Sequence, residues 1–289
     1  MDAPDTPPDM LPGLTLVATP IGNMEDISAR ALATLRGANA ILCEDTRVTS
    51  KLLARHSLSI PLRALHDHNE DVAIPGILDQ LRAGAQLALV SDAGTPLVSD
   101  PGYRLVRAVI AAGLPLHGVP GANAAVMALT LSGLPPQPFL FLGFLPPKEG
   151  ARAAELSRLK ALEQAGLSAT LVLYEAPHRT AETLAALAEA LGPTRPAALA
   201  RELTKRFEEV RRGDLATLAA GALADPPRGE VALVIGPAPP ETGTEADLDA
   251  ALLAAMAEMS VRDAAASVAL AMGLPRRAVY ARALALTRG

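Results

Sequence analysis

Residues 86–112 read QLALVSDAGTPLVSDPGYRLVRAVIAA, and this stretch decides the fold class. The short apolar run QLALVS (86–91) predicts a buried strand, and the apolar spacing of residues 103–112 predicts a helix. A loop of small residues, SDAGTP (91–96), follows the strand. A buried strand that leads through such a loop into a helix is the repeating unit of a mostly parallel sheet with helices on both faces.

The same unit recurs on both sides of this stretch. Further strands are predicted at 14–18, 38–43 and 115–119. Further helices are predicted at 28–35, 46–55, 71–82 and 122–131. These elements predict an N-terminal α/β domain over residues 14–135.

A second α/β domain is predicted over residues 138–236. The segment SGLPPQP (132–138) is rich in turn residues and is a candidate boundary between the two domains. After it, strands are predicted at 139–144, 169–174, 196–202 and 230–236, and helices at 151–165 and 180–191.

The two ends of the chain differ from these domains. Residues 1–13, MDAPDTPPDMLPG, are acidic and proline-rich, which predicts a disordered lead and not a secretory signal. GPAPPETGTE (236–245) has the composition of a linker, which we place at residues 237–246.

Residues 247–289 form a helical tail in this interpretation. Helices are predicted at 248–259, 261–272 and 276–286, with Ser260 capping the second helix and Gly273 ending it. The short turn between the last two helices indicates a helix-turn-helix, and a small dimerisation or capping bundle is the alternative.

The composition excludes several classes of protein. The chain has 289 residues and a formal net charge of −5, so it is not a uniformly basic nucleic-acid coat protein. Aromatic residues make up only 2%, which argues against an RNA platform built on stacking. The single cysteine, Cys43, excludes an internal disulfide and a cysteine-cluster zinc site.

No apolar run is long enough to predict a membrane span. The glycine-rich dinucleotide and P-loop motifs are absent.

Loops of small residues follow three predicted strands of the first domain. They are TPIGN (19–23), SDAGTP (91–96) and VPGAN (119–123). In open α/β sheets, ligands bind at the carboxyl ends of the strands, and small residues let a ligand approach the backbone. Free N–H groups at the following helix starts favour a carboxylate or a phosphate. The three loops therefore predict one ligand site.

Charged residues follow three other strands, at EDTR (44–47), YEAPHR (174–179) and RELTKR (201–206). Charged side chains at strand ends that face a cleft are costly unless they are used or paired. These groups are therefore candidates to orient a substrate or to act as a base. The structural alternatives are a helix cap at Asp45 or Thr46, and surface salt bridges over residues 206–212.

A metal site is not predicted. His66 and His68 have the spacing that places two imidazoles on one face of a strand. No further ligand with metal-site spacing follows them in the sequence.

Five blocks in the same order together resemble the RsmI family, the bacterial cytidine 2′-O-methyltransferases of small-subunit ribosomal RNA. They are VATPIGN (17–23), CEDTR (43–47), SDAGTP with SDPG (91–96 and 99–102), YEAPHR (174–179) and RELTK (201–205). The resemblance runs from about Leu14 to Gly236, and the helical tail is similar to the tail of that family. One departure is GANA (121–124), where family members more often carry a Pro-Ser or similar pair, so we expect this loop to approach the cofactor with its backbone and without side-chain hydroxyl contacts.

The resemblance implies two α/β domains of the tetrapyrrole-methylase type with a small helix-turn-helix-like C-terminal segment. It also implies S-adenosyl-L-methionine in the cleft between the domains, a cytoplasmic homodimer, and a cytidine ribose in the decoding region of 16S ribosomal RNA as the substrate. It implies no metal and no membrane. The residues fit this cofactor independently, because N–H-rich loops suit its carboxylate and an acid-rich cleft suits its sulfonium cation.

The candidate site residues follow from these motifs. We expect cofactor contacts from the small-residue loops and from two strand ends of the second domain: Pro20, Gly22, Asp92, Ala93, Gly94, Thr95, Gly121, Ala122, Tyr174 and Ala200. We expect catalytic roles for Glu175, Glu202 and Lys205, because a ribose hydroxyl needs a base or a cation that stabilises the developing alkoxide. We expect substrate contacts from Glu44, Asp45, Arg47, His178, Arg179, Arg201, Arg276 and Arg277.

RNA affinity in an acidic chain requires a local basic track. The candidates are Arg201, Lys205, Arg206, Arg211, Arg212, Arg276, Arg277 and Arg282. Two other functions stay open from the residues alone. One is a methyltransferase for a tetrapyrrole-type small molecule, and the other is a ligand-responsive regulator whose tail binds DNA.

Overall fold

The structure is a computed structural model that describes residues 12–239 and 245–287. Most of the predicted lead and residues 240–244 of the predicted linker therefore lie outside the described residues. The chain divides into two compact units, Met1–Gly236 and Pro237–Gly289.

The first sheet of the larger unit is parallel throughout. Its strands are β1 (Gly13–Val17), β2 (Ala40–Cys43), β3 (Leu62–Ala64), β4 (Gln86–Val90) and β5 (Leu116–Val119). They lie in the order β3-β2-β4-β1-β5, with Leu14 opposite Leu87 and Val17 opposite Val90. Because β4, β1 and β5 are neighbours, the loops that follow them meet at one edge of the sheet.

Helices cover both faces of this sheet, as the alternation of strands and helices predicts. They are α1 (Ala29–Gly37), α2 (Thr46–Arg55), α3 (Glu70–Arg82) and α4 (Tyr103–Ala111). In β2, Ile41 and Cys43 pack in one core with α1 and α2, whereas Leu42 packs in a second core with α3 and α4. Successive strand residues point to opposite faces, so one apolar strand supplies both cores.

The second sheet is mixed. Its strands are β6 (Phe139–Phe144), β7 (Thr170–Glu175), β8 (Pro196–Arg201), β9 (Glu209–Asp214) and β10 (Val231–Ile235). They lie in the order β6-β7-β10-β8-β9, and only β6 and β7 are parallel. Helices α6 (Glu149–Gln164), α7 (Thr180–Leu191) and α8 (Leu215–Ala224) pack on one face.

Helix α5 (Ala124–Ser132) packs on the other face of the second sheet. Its residues Ala125, Ala128 and Leu129 are buried against strand residues that include Val172 and Ala198. This helix follows β5 in the chain, so it joins the loop edge of the first sheet to the second sheet.

Among the strands and α-helices of the described residues, the strands β3 and β9 and the helix α8 were not predicted from the sequence, nor were the 3-10 helices Met24–Asp26 and Pro177–Arg179. Strand β3 has three residues, and β9 reads EVRRGD, whose charges hide the strand pattern but suit an exposed sheet edge. Asp214 is both the last residue of β9 and the N-cap of α8, so no loop separates the strand from the helix. A single residue therefore marks the end of one element and the start of the other.

The smaller unit has three helices, α9 (Glu245–Glu258), α10 (Val261–Ala271) and α11 (Arg276–Leu286). The predicted cap is present, because the Ser260 side chain accepts a hydrogen bond from the Asp263 N–H. Gly273 has the left-handed φ of 63° expected after a helix end. Leu252, Val268 and Val279 are among the residues of its small core. In the described parts of the chain, no helix combines the length and the apolar character that crossing a bilayer requires.

Candidate active site

A cavity of about 480 Å³ opens where the loop edge of the first sheet faces the second sheet. The first half of the chain contributes Ile21, Asp92, Ala93, Gly94, Thr95, Ser99, Asp100 and Asn123 to its walls. The second sheet and its loops contribute Phe144, Tyr174, Glu175, Ala200 and Glu230. Its volume lies in the range typical of small-molecule sites.

The three small-residue loops meet here, as their positions in the sequence predict. Thr19 and Gly94 exchange both backbone hydrogen bonds, at N···O distances of 2.9 and 3.1 Å. The Thr95 hydroxyl donates to the Ala122 carbonyl at 3.1 Å, which ties the second loop to the third. The loops therefore form one continuous wall.

At Gly22 the backbone of the first loop passes very close to the turn that follows β8. A Cβ at this position would lie 2.4 Å from Lys205 Cγ and 3.0 Å from the Leu203 carbonyl oxygen. The neighbouring Asn23 N–H donates to the Thr204 hydroxyl at 3.0 Å. The absence of a side chain at Gly22 thus lets the two halves of the cavity meet.

Tyr174 is the second link between the halves. Its hydroxyl accepts a hydrogen bond from the Ala125 N–H at 3.1 Å, at the start of α5. Its ring packs edge-on against Phe141 and Phe144, with centroids 5.0 and 5.7 Å apart. Burial raises the pKa of this hydroxyl, so it stays protonated at neutral pH.

The comparison with known proteins identifies the chain. Residues 13–219 match the family described as Tetrapyrrole (Corrin/Porphyrin) Methylases, and residues 242–287 match the RsmI C-terminal HTH domain. A protein of Mesorhizobium japonicum named Ribosomal RNA small subunit methyltransferase I is 49% identical over 95% of this chain and 92% of its own length. The chain belongs to the RsmI family of methyltransferases.

Other relatives carry the same name. The protein of Xylella fastidiosa is 45% identical over 92% of this chain and 97% of its own length. The protein of Pseudomonas aeruginosa is 43% identical over 94% of this chain and 96% of its own. The predicted family and fold class are therefore confirmed.

The fold also resembles solved structures. A uroporphyrin-III-C-methyltransferase of Thermus thermophilus has a TM-score of 0.52 at 25% identity, over 77% of this chain and 93% of that one. A diphthine synthase has a TM-score of 0.59 at 15% identity, over 77% of this chain and 89% of that one.

Six of the ten expected cofactor residues line the cavity of this RsmI-family chain: Asp92, Ala93, Gly94, Thr95, Tyr174 and Ala200. The other four lie in the loops behind that wall. Pro20 is buried, and Gly22 contacts the second sheet. Gly121 packs against Ala18, where an added Cβ would lie 2.9 Å from the Ala18 Cβ, and Ala122 anchors Thr95.

Glu175 is a fully buried carboxylate whose oxygens are already engaged. It accepts hydrogen bonds from the Ala176 N–H at 2.7 Å, the Thr183 hydroxyl at 2.6 Å and the Arg179 guanidinium at 3.0 Å. Arg179 also donates to the Leu145 carbonyl. These bonds fix the turn that presents Tyr174 and Ala176 to the cavity, so the geometry favours a positioning role for Glu175 over proton transfer.

Glu202, Lys205 and Glu230 form one ionic network. The Lys205 ammonium lies 2.8 Å from a Glu202 oxygen and 2.6 Å from a Glu230 oxygen. Burial alone would lower the pKa of Lys205, but the two carboxylates outweigh it and raise that pKa. Lys205 therefore stays protonated and acts as a cation, and its hydrogen bond lowers the pKa of Glu202.

The Glu202–Lys205 turn is held in an unusual conformation. Glu202 and Thr204 have left-handed φ values of 51° and 65°. Such non-glycine residues are uncommon and persist only where surrounding contacts hold them. Here the network with Glu230 and the hydrogen bond from Asn23 supply those contacts.

The acidic motif after β2 serves mainly as a helix cap. Asp45 accepts a hydrogen bond from the Arg47 N–H at 2.8 Å and pairs with the Arg47 side chain at 2.6 Å. This bonding lowers the pKa of Asp45 to about 2. The Asp45 N–H donates to Asp92 at 3.1 Å, so the cap also positions a wall of the cavity. Glu44 is exposed, and desolvation and the nearby Asp92 raise its pKa.

Four of the eight residues of the predicted basic track, Arg201, Lys205, Arg211 and Arg282, pair with carboxylates. Arg201 pairs with Glu209, and Arg211 pairs with Glu209 and Asp225. Arg212 donates to the carbonyls of Leu131 and Ser132. In the smaller unit, Arg282 is bound to Asp249 at 2.6 Å. The surface salt bridges given as the alternative for residues 206–212 are therefore present.

The remaining basic candidates are exposed. Arg206 lies over the ring of Phe207, with its guanidinium carbon 5.5 Å from the centroid. His178 is exposed beside the cavity residue Pro177, and Arg276 and Arg277 are exposed at the start of α11.

Asp100 is a cavity residue that the sequence interpretation missed. Desolvation raises its pKa to about 7, with help from the charges of Glu44 and Asp92, whereas the nearby Ser91 hydroxyl lowers it. In the sequence Asp100 lies just before a helix, where an acidic residue is usually a cap. The N-cap of α4 is Gly102, so Asp100 is free of that role.

Proposed function

We propose that this chain is an S-adenosylmethionine-dependent methyltransferase that modifies the 2′-oxygen of a cytidine ribose in the decoding region of 16S ribosomal RNA. The observation that carries the proposal is the cavity at the meeting edge of the two sheets, in a chain 49% identical to a protein named Ribosomal RNA small subunit methyltransferase I.

The cavity fits the cofactor in size, shape and charge. Its wall of Ala93 and Gly94 has little side-chain bulk, so a ligand reaches the backbone of the loop. Asp92 and Asp100 give it negative charge, which favours a sulfonium cation. A Thermus thermophilus methyltransferase with the same fold is described as complexed with S-adenosylhomocysteine, at 20% identity and a TM-score of 0.55.

We assign the cofactor to the wall formed by Asp92, Ala93, Gly94 and Thr95, with Tyr174 and Ala200 opposite. When bound, the cofactor supplies an electrophilic methyl group. The chain's own part is to hold the attacking oxygen in line with that methyl, and such positioning supplies up to ~7–11 kcal/mol in favourable intramolecular reactions.

The charged groups of the second sheet then have separate roles. Lys205 stabilises negative charge on the sugar oxygen or holds a phosphate, because it remains a cation in its carboxylate network. Glu202 keeps Lys205 in place, and Glu175 keeps Arg179 and the Tyr174 turn in place. We further propose that His178, Arg179 and Arg201 contact the substrate from the second half of the site, and that Glu44, Asp45 and Arg47 contact it from the first.

The partners follow from the same proposal. The substrate is 16S ribosomal RNA or the small ribosomal subunit, with Arg276 and Arg277 of the tail on its phosphates. The working form is a cytoplasmic homodimer without a membrane partner. RNA affinity is expected to fall with added salt, because phosphate neutralisation releases counterions.

The test is methyl transfer from radiolabelled S-adenosylmethionine to small ribosomal subunits that lack the modification. Nucleoside analysis of the product should give 2′-O-methylcytidine. Methylation of a base, or transfer to a tetrapyrrole precursor with none to RNA, would overturn the proposal. Binding to duplex DNA without methyl transfer would favour the regulator instead.

A further inference from the structure

Four carboxylates of the described residues line the cavity, and they differ in whether a lysine or arginine pairs with them. Glu175 pairs with Arg179, and Glu230 pairs with Lys205. Asp100 forms no ion pair with any lysine or arginine within residues 12–239 and 245–287. Asp92 accepts one N–H, from Asp45. The unbalanced negative charge of the cavity therefore lies at the wall of the first sheet.

The loop that carries Asp100 is tightly curled. Leu97 and Ser99 have left-handed φ values of 73° and 68°, and Gly102 has a φ of 112°. Left-handed backbone at two non-glycine residues is unfavourable, and such strain clusters at functional sites. This loop conformation brings both Ser99 and Asp100 to the cavity wall.

The groups around Asp100 are neutral or negative. Glu44 after β2 and Asp92 after β4 both repel its charge, and the neutral Ser91 hydroxyl partly offsets the rise in its pKa. From the second half of the site, Tyr174 and Glu230 line the same cavity, and the charges of Asp100 and Glu230 both help to raise the pKa of Tyr174. A carboxyl in this setting is held close to half-protonated at neutral pH, since its pKa is about 7.

We propose that Asp100 makes the cavity selective for the charge of the cofactor, so that it favours the sulfonium donor over the neutral thioether product. This inference rests on the proposed function. A site that binds the donor and the product equally well is inhibited as the product accumulates. Asp100 would reduce this inhibition, because its negative charge attracts the charged donor more strongly than the neutral product.

This preference for the donor depends on pH, because the charge of Asp100 changes near pH 7. Binding of the cation favours the ionised form of Asp100. In the fraction of protein molecules whose Asp100 is protonated, binding therefore releases a proton. Binding of the neutral product releases none. Donor affinity should therefore rise with pH up to about 7 and level off above it, by at most about tenfold per pH unit.

The experiment is isothermal titration of the full chain with S-adenosylmethionine and with S-adenosylhomocysteine between pH 5.5 and 8.5. Each titration is run in two buffers of different ionisation enthalpy, which counts the protons released. The variants are Asp100→Asn and the matched control Asp79→Asn, an exposed acid that pairs with Arg82 on α3.

The wild type and Asp79→Asn should release a fraction of a proton on binding the donor near pH 6.5 and none on binding the product. Asp100→Asn should still bind the product, with a donor preference reduced about tenfold, the size expected for one carboxylate acting on a cation across a partly solvated cavity. Its donor affinity should no longer rise with pH.

Glu44→Gln supplies a second variant at an exposed position. It removes a charge that raises the pKa of Asp100, so the rise in donor affinity should shift to lower pH. If Asp100→Asn keeps the wild-type preference and proton release, the inference is wrong although the proposed function stands. If the wild type binds neither compound, the proposed function itself fails.

Discussion

The backbone N–H of Asn23 donates a hydrogen bond to the Thr204 hydroxyl, with 3.0 Å between the two atoms, and so joins the loop after β1 to the turn after β8. Asn23 belongs to the loop after the first strand, and Thr204 belongs to the strained turn after β8. This bond and the contact of Gly22 with Lys205 set the distance between the two halves of the site.

Removal of the Thr204 hydroxyl should loosen the cavity. Thr204→Val keeps the branched shape but removes the acceptor, so we expect a loss of about 1 kcal/mol in the free energy of unfolding. We also expect S-adenosylmethionine to bind about fivefold more weakly. Thr204→Ser is the control, because it keeps the hydroxyl. Urea unfolding and titration calorimetry measure both effects, and equal behaviour of the two variants would contradict the prediction.

A methyl group at Gly22 should separate the two halves. In Gly22→Ala the new Cβ would contact Lys205, Thr204 and the Leu203 carbonyl at 3.0 Å or less. Lys205 is able to move aside, but the backbone carbonyl is not, so cofactor binding should fall at least tenfold. Gly76→Ala is the control on α3, where nothing lies within 4 Å of an added Cβ. That variant should bind like the wild type, and a Gly22→Ala protein that did the same would refute the steric argument.

The sequence was sufficient to predict the first sheet and the meeting of its loops. Apolar runs separated by TPIGN, SDAGTP and VPGAN give strands whose carboxyl ends meet, and the structure joins Thr19 to Gly94 and Thr95 to Ala122. A short edge strand such as β3, and a charged one such as β9, carry too weak a pattern to be recognised.

The charge states of the site were not predictable in the same way. Asp100 acquires its raised pKa from burial and from Glu44 and Asp92, which are brought near it only by folding. Likewise, Arg201 is cationic in the sequence but meets Glu209 on the neighbouring strand of the folded sheet. Pairing across strands depends on register, which one sequence does not specify for charged edge residues.

Glu175 should matter more for stability than for chemistry. Glu175→Gln removes the charge from a buried pair with Arg179 and leaves the guanidinium without its counter-ion. We expect the free energy of unfolding to fall by about 3 kcal/mol. Glu189→Gln, at an exposed position on the same helix as Thr183, is the control and should change it by less than about 0.5 kcal/mol. A Glu175→Gln protein of normal stability without activity would instead indicate a catalytic role.

Asp100 should lower stability above neutral pH. Its pKa rises from 3.8 to about 7 on folding, so between these values the folded chain binds more protons than the unfolded chain. Stability therefore falls as pH rises through this window and stays low above it. Asp100→Asn removes the effect and should stabilise the cofactor-free chain by about 1–2 kcal/mol at pH 8, after allowance for solvent screening, and by less at pH 5. Thermal unfolding at both pH values, with Asp79→Asn as the control, tests this, and a pH-independent difference would contradict it.

Arg206 and Phe207 should contribute more to the affinity for RNA than Arg201 and Arg211, which are paired with carboxylates. Arg206 lies over the Phe207 ring, which is 63% exposed, on the turn that leads from Lys205 to β9. In Arg206→Ala we expect the slope of log affinity against log salt concentration to decrease in magnitude by about 0.7–0.9, the loss of one phosphate contact. In Phe207→Ala we expect weaker binding with an unchanged slope, because a stacked base contributes about 1–3 kcal/mol without charge.

A matched pair elsewhere on the fold provides the control for this last experiment. Arg107 lies over the ring of Tyr103 on α4, with its guanidinium carbon 5.9 Å from the centroid, and that ring is 62% exposed. Arg107→Ala and Tyr103→Ala remove the same charge and a similar aromatic surface at a position outside the predicted basic track. Filter binding of 16S RNA at several salt concentrations should show no change in slope for Arg107→Ala. Equal slopes for Arg206→Ala and the wild type would mean that the turn after β8 does not contact phosphate, and the basic surface would then be limited to the exposed arginines of the tail.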